Sequence, residues 1–175
     1  AHNNWIITNG YDDTLKRYII LAEFTGHRNR NSPNGAREIA RLKAIYGDQL
    51  VPISIHATVA FAAPQPSGSS FRTDFRLQSK EGETYLNSFG IGSLPQGIIS
   101  RSTQSGRQIN QWESDFSSLK NDIPTVTMEL TNYYDSTLNA LRTQVDINWK
   151  DSLTEEYNLQ LFVLESKIID WQLDG

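Results

Sequence analysis

Apolar residues recur along this chain in three ways, and each predicts a different element. Tyr18 to Phe24 is a near-continuous apolar run, the pattern of a central strand covered on both faces. Leu50 to His56 is a second buried strand, and Gly97 to Arg101 a third. Trp5 to Thr8 reads as a short strand stopped by Asn9-Gly10. Between these runs the spacing turns helical. Ile39, Leu42, Ile45 and Tyr46 fall on one side of a helix with Ser32 as N-cap, Pro33 at its first position and Gly47 as its stop. Glu81 to Phe89 predicts a short helix. Gln108 to Lys120 predicts another, with Ile109, Trp112, Phe116 and Leu119 on one face. Residues 62–73, rich in Pro, Gly and Ser, predict an exposed loop.

Near Asp122-Ile123-Pro124 the pattern becomes a period of two. Val126, Met128, Leu130 and Tyr134 share one phase, and Leu141, Val145, Ile147 and Trp149 another. Tyr157, Leu159, Leu161 and Val163 form a third run. Each predicts an antiparallel strand with one buried face. The chain therefore reads as an α/β domain over residues 1–121 and a β-rich segment over 122–175. Residues 16–120 are expected to form a mixed sheet of about four or five strands, a typical size. A single antiparallel layer leaves its apolar face uncovered. That face is expected to pack on the first domain, on a second copy of the chain, or on strands beyond Gly175, with the last arrangement preferred.

Composition narrows the chemistry. A hydrophobic fraction of 38% and an aromatic fraction of 10% suit a folded chain. The formal charge of −4, with both signs interspersed, gives no electrostatic case for nucleic acid or an anionic membrane. No apolar run approaches the length of a transmembrane helix. The chain has no cysteine, hence neither disulfides nor thiolate metal sites. His2, His27 and His56 are too scattered for a metal site, and His56 reads as a strand-end histidine. Asp12-Asp13 and Glu155-Glu156 read as solvated turn pairs, and Trp112, Trp149 and Trp171 as core. There is no nucleophile elbow and no glycine-rich phosphate loop. No catalytic residue, metal or cofactor is expected.

Three segments carry a resemblance. The first is Leu-Ala-Glu-Phe-Thr-Gly-His-Arg (21–28), leading into Pro33 and the helix with Ala36-Arg37-Glu38-Ile39-Ala40. The second is Gly47-Asp48-Gln49-Leu50-Val51-Pro52-Ile53-Ser54-Ile55-His56-Ala57. The third is Phe89-Gly90-Ile91-Gly92-Ser93-Leu94-Pro95-Gln96-Gly97, which looks like the cis-proline loop of thioredoxin folds. Together they resemble the outer-membrane-protein-28-related family of Gram-negative envelope lipoproteins. That resemblance implies a thioredoxin-like domain followed by a partial, immunoglobulin-like sandwich, and a place in the outer membrane or periplasm. Membrane attachment would then run only through a lipid anchor outside this chain. Many members carry a Cys-x-x-Cys pair where this chain has Asn29, Arg30, Asn31, Ser32 and then Pro33. Thiol–disulfide exchange needs a thiolate, and neither Asn29 nor Ser32 can supply one.

The loop His27, Arg28, Asn29, Arg30, Asn31, Ser32, Pro33 is thus a pseudo-active-site loop. It can be read as an anion site, from free N–H groups at a helix start with Arg28, Arg30 and Arg37 nearby. It can also be read as a solvated loop with ordinary surface arginines, and this second reading is preferred. Leu94 and Pro95 are either a structural turn or an open edge that pairs with an extended peptide. The leading expectation is a non-catalytic, redox-inactive envelope protein that binds a protein, peptide or envelope component. The alternatives are a thiol–disulfide oxidoreductase whose cysteines at 29 and 32 have been replaced, and a small-ligand or glycan-binding module.

Overall fold

The computed structural model of the chain describes residues 16–65, 72–77, 79–150 and 156–174. The strand expected at Trp5–Thr8, His2, Asp12-Asp13 and Glu155 lie outside them. The described residues fall into two units. One is 17–121 together with 162–174, and the other is the hairpin region 122–161. Residues 162–174, grouped by periodicity with the strands before them, thus belong with the α/β unit.

In the α/β unit, β1 (Ile19–Thr25) lies between β2 (Leu50–His56) and β3 (Gln96–Ile99). β1 runs parallel to β2, with Ile19 opposite Leu50, and antiparallel to β3, with Leu21 opposite Ile99. Successive β1 side chains point to opposite faces. Ile19 and Leu21 pack with Leu42 of α1 (Ser32–Tyr46) and with Trp112 and Phe116 of α4 (Trp112–Leu119). Phe24 packs with Ile91, Leu94 and Ile98, backed by Tyr85 and Leu86 of α3 (Ser79–Ser88). Helices therefore cover both faces, as the continuous apolar run of β1 requires. A short helix, α2 (Val59–Ala62), follows β2.

The sheet has three strands rather than four or five. β3 stops at Ile99 rather than Arg101 because Ser100 and Arg101 take left-handed φ values of 43° and 55° and turn the chain out of the ladder. α1 starts at Ser32, one residue before Pro33, with Asn31 as N-cap. It stops at Gly47 with φ 56°, a conformation glycine adopts without penalty. The helix expected from Gln108 divides into a 3-10 turn, Ile109–Gln111, and α4. A reciprocal capping box between Gln108 and Gln111 makes that start tight.

In the other unit, β4 (Val126–Asp135) and β5 (Ala140–Trp149) form an antiparallel hairpin. Directly opposed residues share a face, so the pairs Val126–Trp149, Met128–Ile147, Leu130–Val145 and Tyr134–Leu141 build one apolar side. The other side carries Thr127, Glu129, Thr131, Arg142, Gln144 and Asp146. The strand expected over Tyr157–Val163 is absent, because alternation alone supplies no ladder partner. The chain is thus mixed α/β followed by an antiparallel β hairpin. Among the described residues, no helix is long and apolar enough to cross a membrane.

Candidate functional site

The loop between β1 and α1 is closed by its own side chains. Asn29 Oδ1 accepts from the main-chain N–H of Asn31 at 2.9 Å and of Ser32 at 3.2 Å. Asn34 N–H donates to the Asn31 carbonyl at 3.0 Å, and Pro33 has no N–H to offer. The main-chain donors of Asn31, Ser32 and Asn34 are therefore already used, which weighs against the anion reading. Ser32 is 2% exposed, and its Oγ accepts from Gly26 N–H at 3.2 Å. The two residues at the expected cysteine positions thus hold the loop together through hydrogen bonds.

The loop is not uniformly solvated. Arg30 and Asn31 are exposed, Arg28, Asn29 and Pro33 are half-buried, and His27 is 3% exposed. His27 Nε2 is hydrogen-bonded to the Ala63 carbonyl, whereas Nδ1 is buried without a partner. The His27 ring meets Phe75 edge-on at 5.0 Å and His56 at 6.0 Å, and His56 stacks on Phe75 at 4.1 Å. Burial, with a smaller contribution from His27, pushes His56 down to about 4, although Asp170 opposes the shift. His56 is thus neutral, as its place at the end of an apolar strand suggests.

Glu23 lies beneath the start of α1. It is 2% exposed, and its Oε2 accepts from the Ser54 hydroxyl at 3.0 Å. Oε1 has no hydrogen-bond partner and points at Gly35, where any Cβ would collide with it. Burial pushes this carboxyl up to about 7, and the Ser54 hydrogen bond offsets only part of that. Leu94 and Pro95 are both buried, joined by a cis peptide bond. Pro95 Cβ is 3.2 Å from where a Cβ on Gly35 would stand, which brings it to the first turns of α1. Gln96 Oε1 holds the preceding turn, accepting from Gly92 N–H at 3.1 Å and Ser93 N–H at 3.4 Å.

A short segment far along the chain completes the surroundings. Leu173 N–H donates to the His27 carbonyl at 2.8 Å, and Gln172 Nε2 to the Asn29 carbonyl at 3.2 Å. Arg37 Nη2 reaches both carboxylate oxygens of Asp174, at 3.1 and 3.0 Å. The structure thus joins the loop, Pro95 and Arg37 to residues that periodicity did not single out, Glu23, Ser54, Gly35, Phe75, Asp170 and 172–174, and to Trp171, which was expected in the core but is half-buried against His27. Of the other two tryptophans expected there, Trp112 is buried and Trp149 is exposed because no second layer covers the hairpin. An acid inside an apolar strand was the one available signal, at Glu23. Among the described residues, no group of three or more His, Cys, Asp or Glu side chains is placed to hold a metal. No protein-family model, curated protein or solved structure matches this chain.

Proposed function

We propose that this chain is a redox-inactive, thioredoxin-like domain of a cell-envelope protein, followed by part of an immunoglobulin-like sandwich. It works by binding an extended protein or peptide segment along the loop between β1 and α1. The observation that carries this is the use made of the loop. Asn29 and Ser32, which stand at the redox positions of the resembled family, are committed to main-chain hydrogen bonds. The His27 and Asn29 carbonyls accept from Leu173 and Gln172, in a segment without helix or strand structure. Carbonyls that accept from an extended chain are the elements of peptide recognition by main-chain pairing. The parallel β1–β2 pair, the antiparallel β3 and the cis Leu94–Pro95 bond before β3 support the thioredoxin-like part of the reading. The envelope location rests on the family resemblance of segments 21–28, 47–57 and 89–97.

Panning displayed random peptides against the chain tests this reading. Selected peptides should compete with one another and shift the amide signals of residues 26–32. The chain should leave insulin disulfides unreduced, having no sulfur nucleophile. Binders that map only to β4 and β5, or an absence of binders, would refute the proposal.

A further inference from the structure

Five consecutive residues without helix or strand structure each have their own partner: Trp171, Gln172 and Leu173 on the loop, Asp174 on α1 and Asp170 on Thr73. Asp170 Oδ2 accepts from the main-chain N–H of Thr73 at 2.7 Å. The Trp171 ring meets the His27 imidazole edge-on, with centroids 6.3 Å apart. Gln172 donates from its side chain to the Asn29 carbonyl, and Leu173 from its main chain to the His27 carbonyl. Asp174 closes the series on Arg37. Backbone pairing, an aromatic contact and an acid–guanidinium pair are the components by which a protein face reads an extended peptide.

These contacts are positioned for exchange. The Arg37–Asp174 pair is 62% exposed on both sides, so water and salt compete for it. Both Gln172 and Asp174 sit at the surface, and Trp171 is only half-buried. The segment fills the loop face without being locked into a ladder. The receptor side carries Arg28, Arg30 and Arg37, and the segment brings Asp170 and Asp174. Arg37 pairs with Asp174, and this acid–guanidinium contact favours an acidic ligand.

We propose that Asp170-Trp171-Gln172-Leu173-Asp174 is a tethered pseudo-ligand of the β1–α1 loop. The ligand of that face is then an extended, acidic, tryptophan-containing segment of another protein, which binds by displacing residues 170–174. This inference rests on reading the loop as a peptide-binding face, and it adds the chemistry of the ligand and the built-in occupant that holds the face closed.

The test uses a fluorescent synthetic peptide, Ile-Ile-Asp-Trp-Gln-Leu-Asp-Gly, and the full chain. Anisotropy titration should give weak binding to the wild type. Gln172→Ala/Asp174→Ala, which changes only surface contacts, should bind at least tenfold more tightly. Trp171→Ala should do the same by a different route. Adding Arg37→Glu to the double variant should abolish the gain. A peptide with its second acid replaced by arginine should restore binding to the Arg37→Glu protein. Amide exchange reports release of the segment independently. If Leu173 N–H exchanges freely in the double variant while peptide affinity equals that of the wild type, residues 170–174 are not a pseudo-ligand. If panned peptides bind wild type and double variant equally at residues 26–32, peptide binding stands and this inference falls. If no peptide binds either protein, both fall. Dimerisation of the double variant without peptide binding would make a second copy the partner and overturn the proposal.

Discussion

Five of the seven residues of β1 are buried, whereas none of the twenty in β4 and β5 is. Both regions carry apolar side chains at strand spacing, so hydrophobicity alone does not account for the contrast. β1 has α1 and α4 on one face and α3 on the other, so Ile19, Leu21 and Phe24 each find a second layer, and Ile20 alone of its large apolar residues stays exposed. In the hairpin, Met128 is 46%, Leu141 51% and Trp149 45% exposed. A strand contributes burial free energy only when a second layer removes it from water, at about 25 cal/mol per Å² of apolar area.

The largest expected effect tests this difference directly. Trp112 and Phe24 are wholly buried in the two halves of the core. Trp112→Ala or Phe24→Ala should cost about 3–5 kcal/mol in urea unfolding of the full chain. Trp112 adds a hydrogen bond from Nε1 to the Arg107 carbonyl at 3.0 Å, and the indole packs so closely on Gly97 that a Cβ there would stand 2.7 Å from Nε1. Leu130→Ala in the hairpin should cost about 1 kcal/mol or less, since little area returns to water. Equal losses at the two places would mean that the apolar hairpin face is covered as fully as the core.

The same contrast explains what was legible in the sequence. β2 matches its apolar run residue for residue, and α1 starts within one residue of Pro33 and stops at Gly47, because these signals are local. The end of β3 was not legible: left-handed backbone at Ser100 and Arg101 leaves no mark in residue type. Nor was the missing strand at 157–163, since alternation records a wish for one buried face and not the presence of a partner. At the candidate site, His27 and Ser32 could be named from the loop, but not their burial. The pairing of Leu173 with His27 depends on a contact between segments almost a whole chain apart, which no window of sequence encodes.

The buried α/β unit also holds two titratable groups with opposite demands. Glu23 has its folded pKa raised from 4.5 to about 7, so the stability it contributes is full below pH 4.5 and is lost as pH rises toward 7. His56 has its folded pKa lowered from 6.5 to about 4, so its contribution is present above pH 6.5 and is lost as pH falls toward 4. Between about 4.5 and 6.5 the slopes oppose each other, each with a span on the order of 3 kcal/mol. Wild-type stability should therefore change little across that window. Glu23→Gln should leave the His56 slope, with stability rising with pH. His56→Phe should leave the Glu23 slope, with stability falling. Parallel pH profiles for the two variants would show that these groups do not titrate in the folded state as their burial requires.

A smaller effect compares two asparagines. Asn29 holds two main-chain N–H groups of the α1 start, so Asn29→Ala should cost about 1 kcal/mol, the usual loss of a helix-start cap. Asn132 accepts from Thr143 across the exposed hairpin at 2.8 Å. Cross-strand pairs of this kind contribute roughly 0.2–1 kcal/mol, and Asn132→Ala should fall at the low end because both groups remain hydrated. A loss at Asn132 equal to that at Asn29 would contradict the view that buried context, rather than hydrogen-bond count, separates the two regions.

The smallest expected effect on stability falls on Arg37 and Asp174, within the well-packed unit but on its surface. Their ion pair spans 3.0 Å, yet both side chains are 62% exposed. Ordering two mobile side chains in water offsets most of the Coulombic attraction, and such pairs contribute about 0–1 kcal/mol. Arg37→Ala and Asp174→Ala should each shift the urea midpoint only slightly, and the shift should shrink further in high salt. Peptide affinity behaves differently, because there the pair is formed with an incoming segment in place of residues 170–174. Removing Asp174 frees the receptor side, whereas removing Arg37 removes it. The two substitutions should thus be nearly equal in unfolding and opposite in peptide binding. Asymmetric unfolding losses, with affinity changed in the same direction by both, would mean that Asp174 supports the loop rather than occupies it.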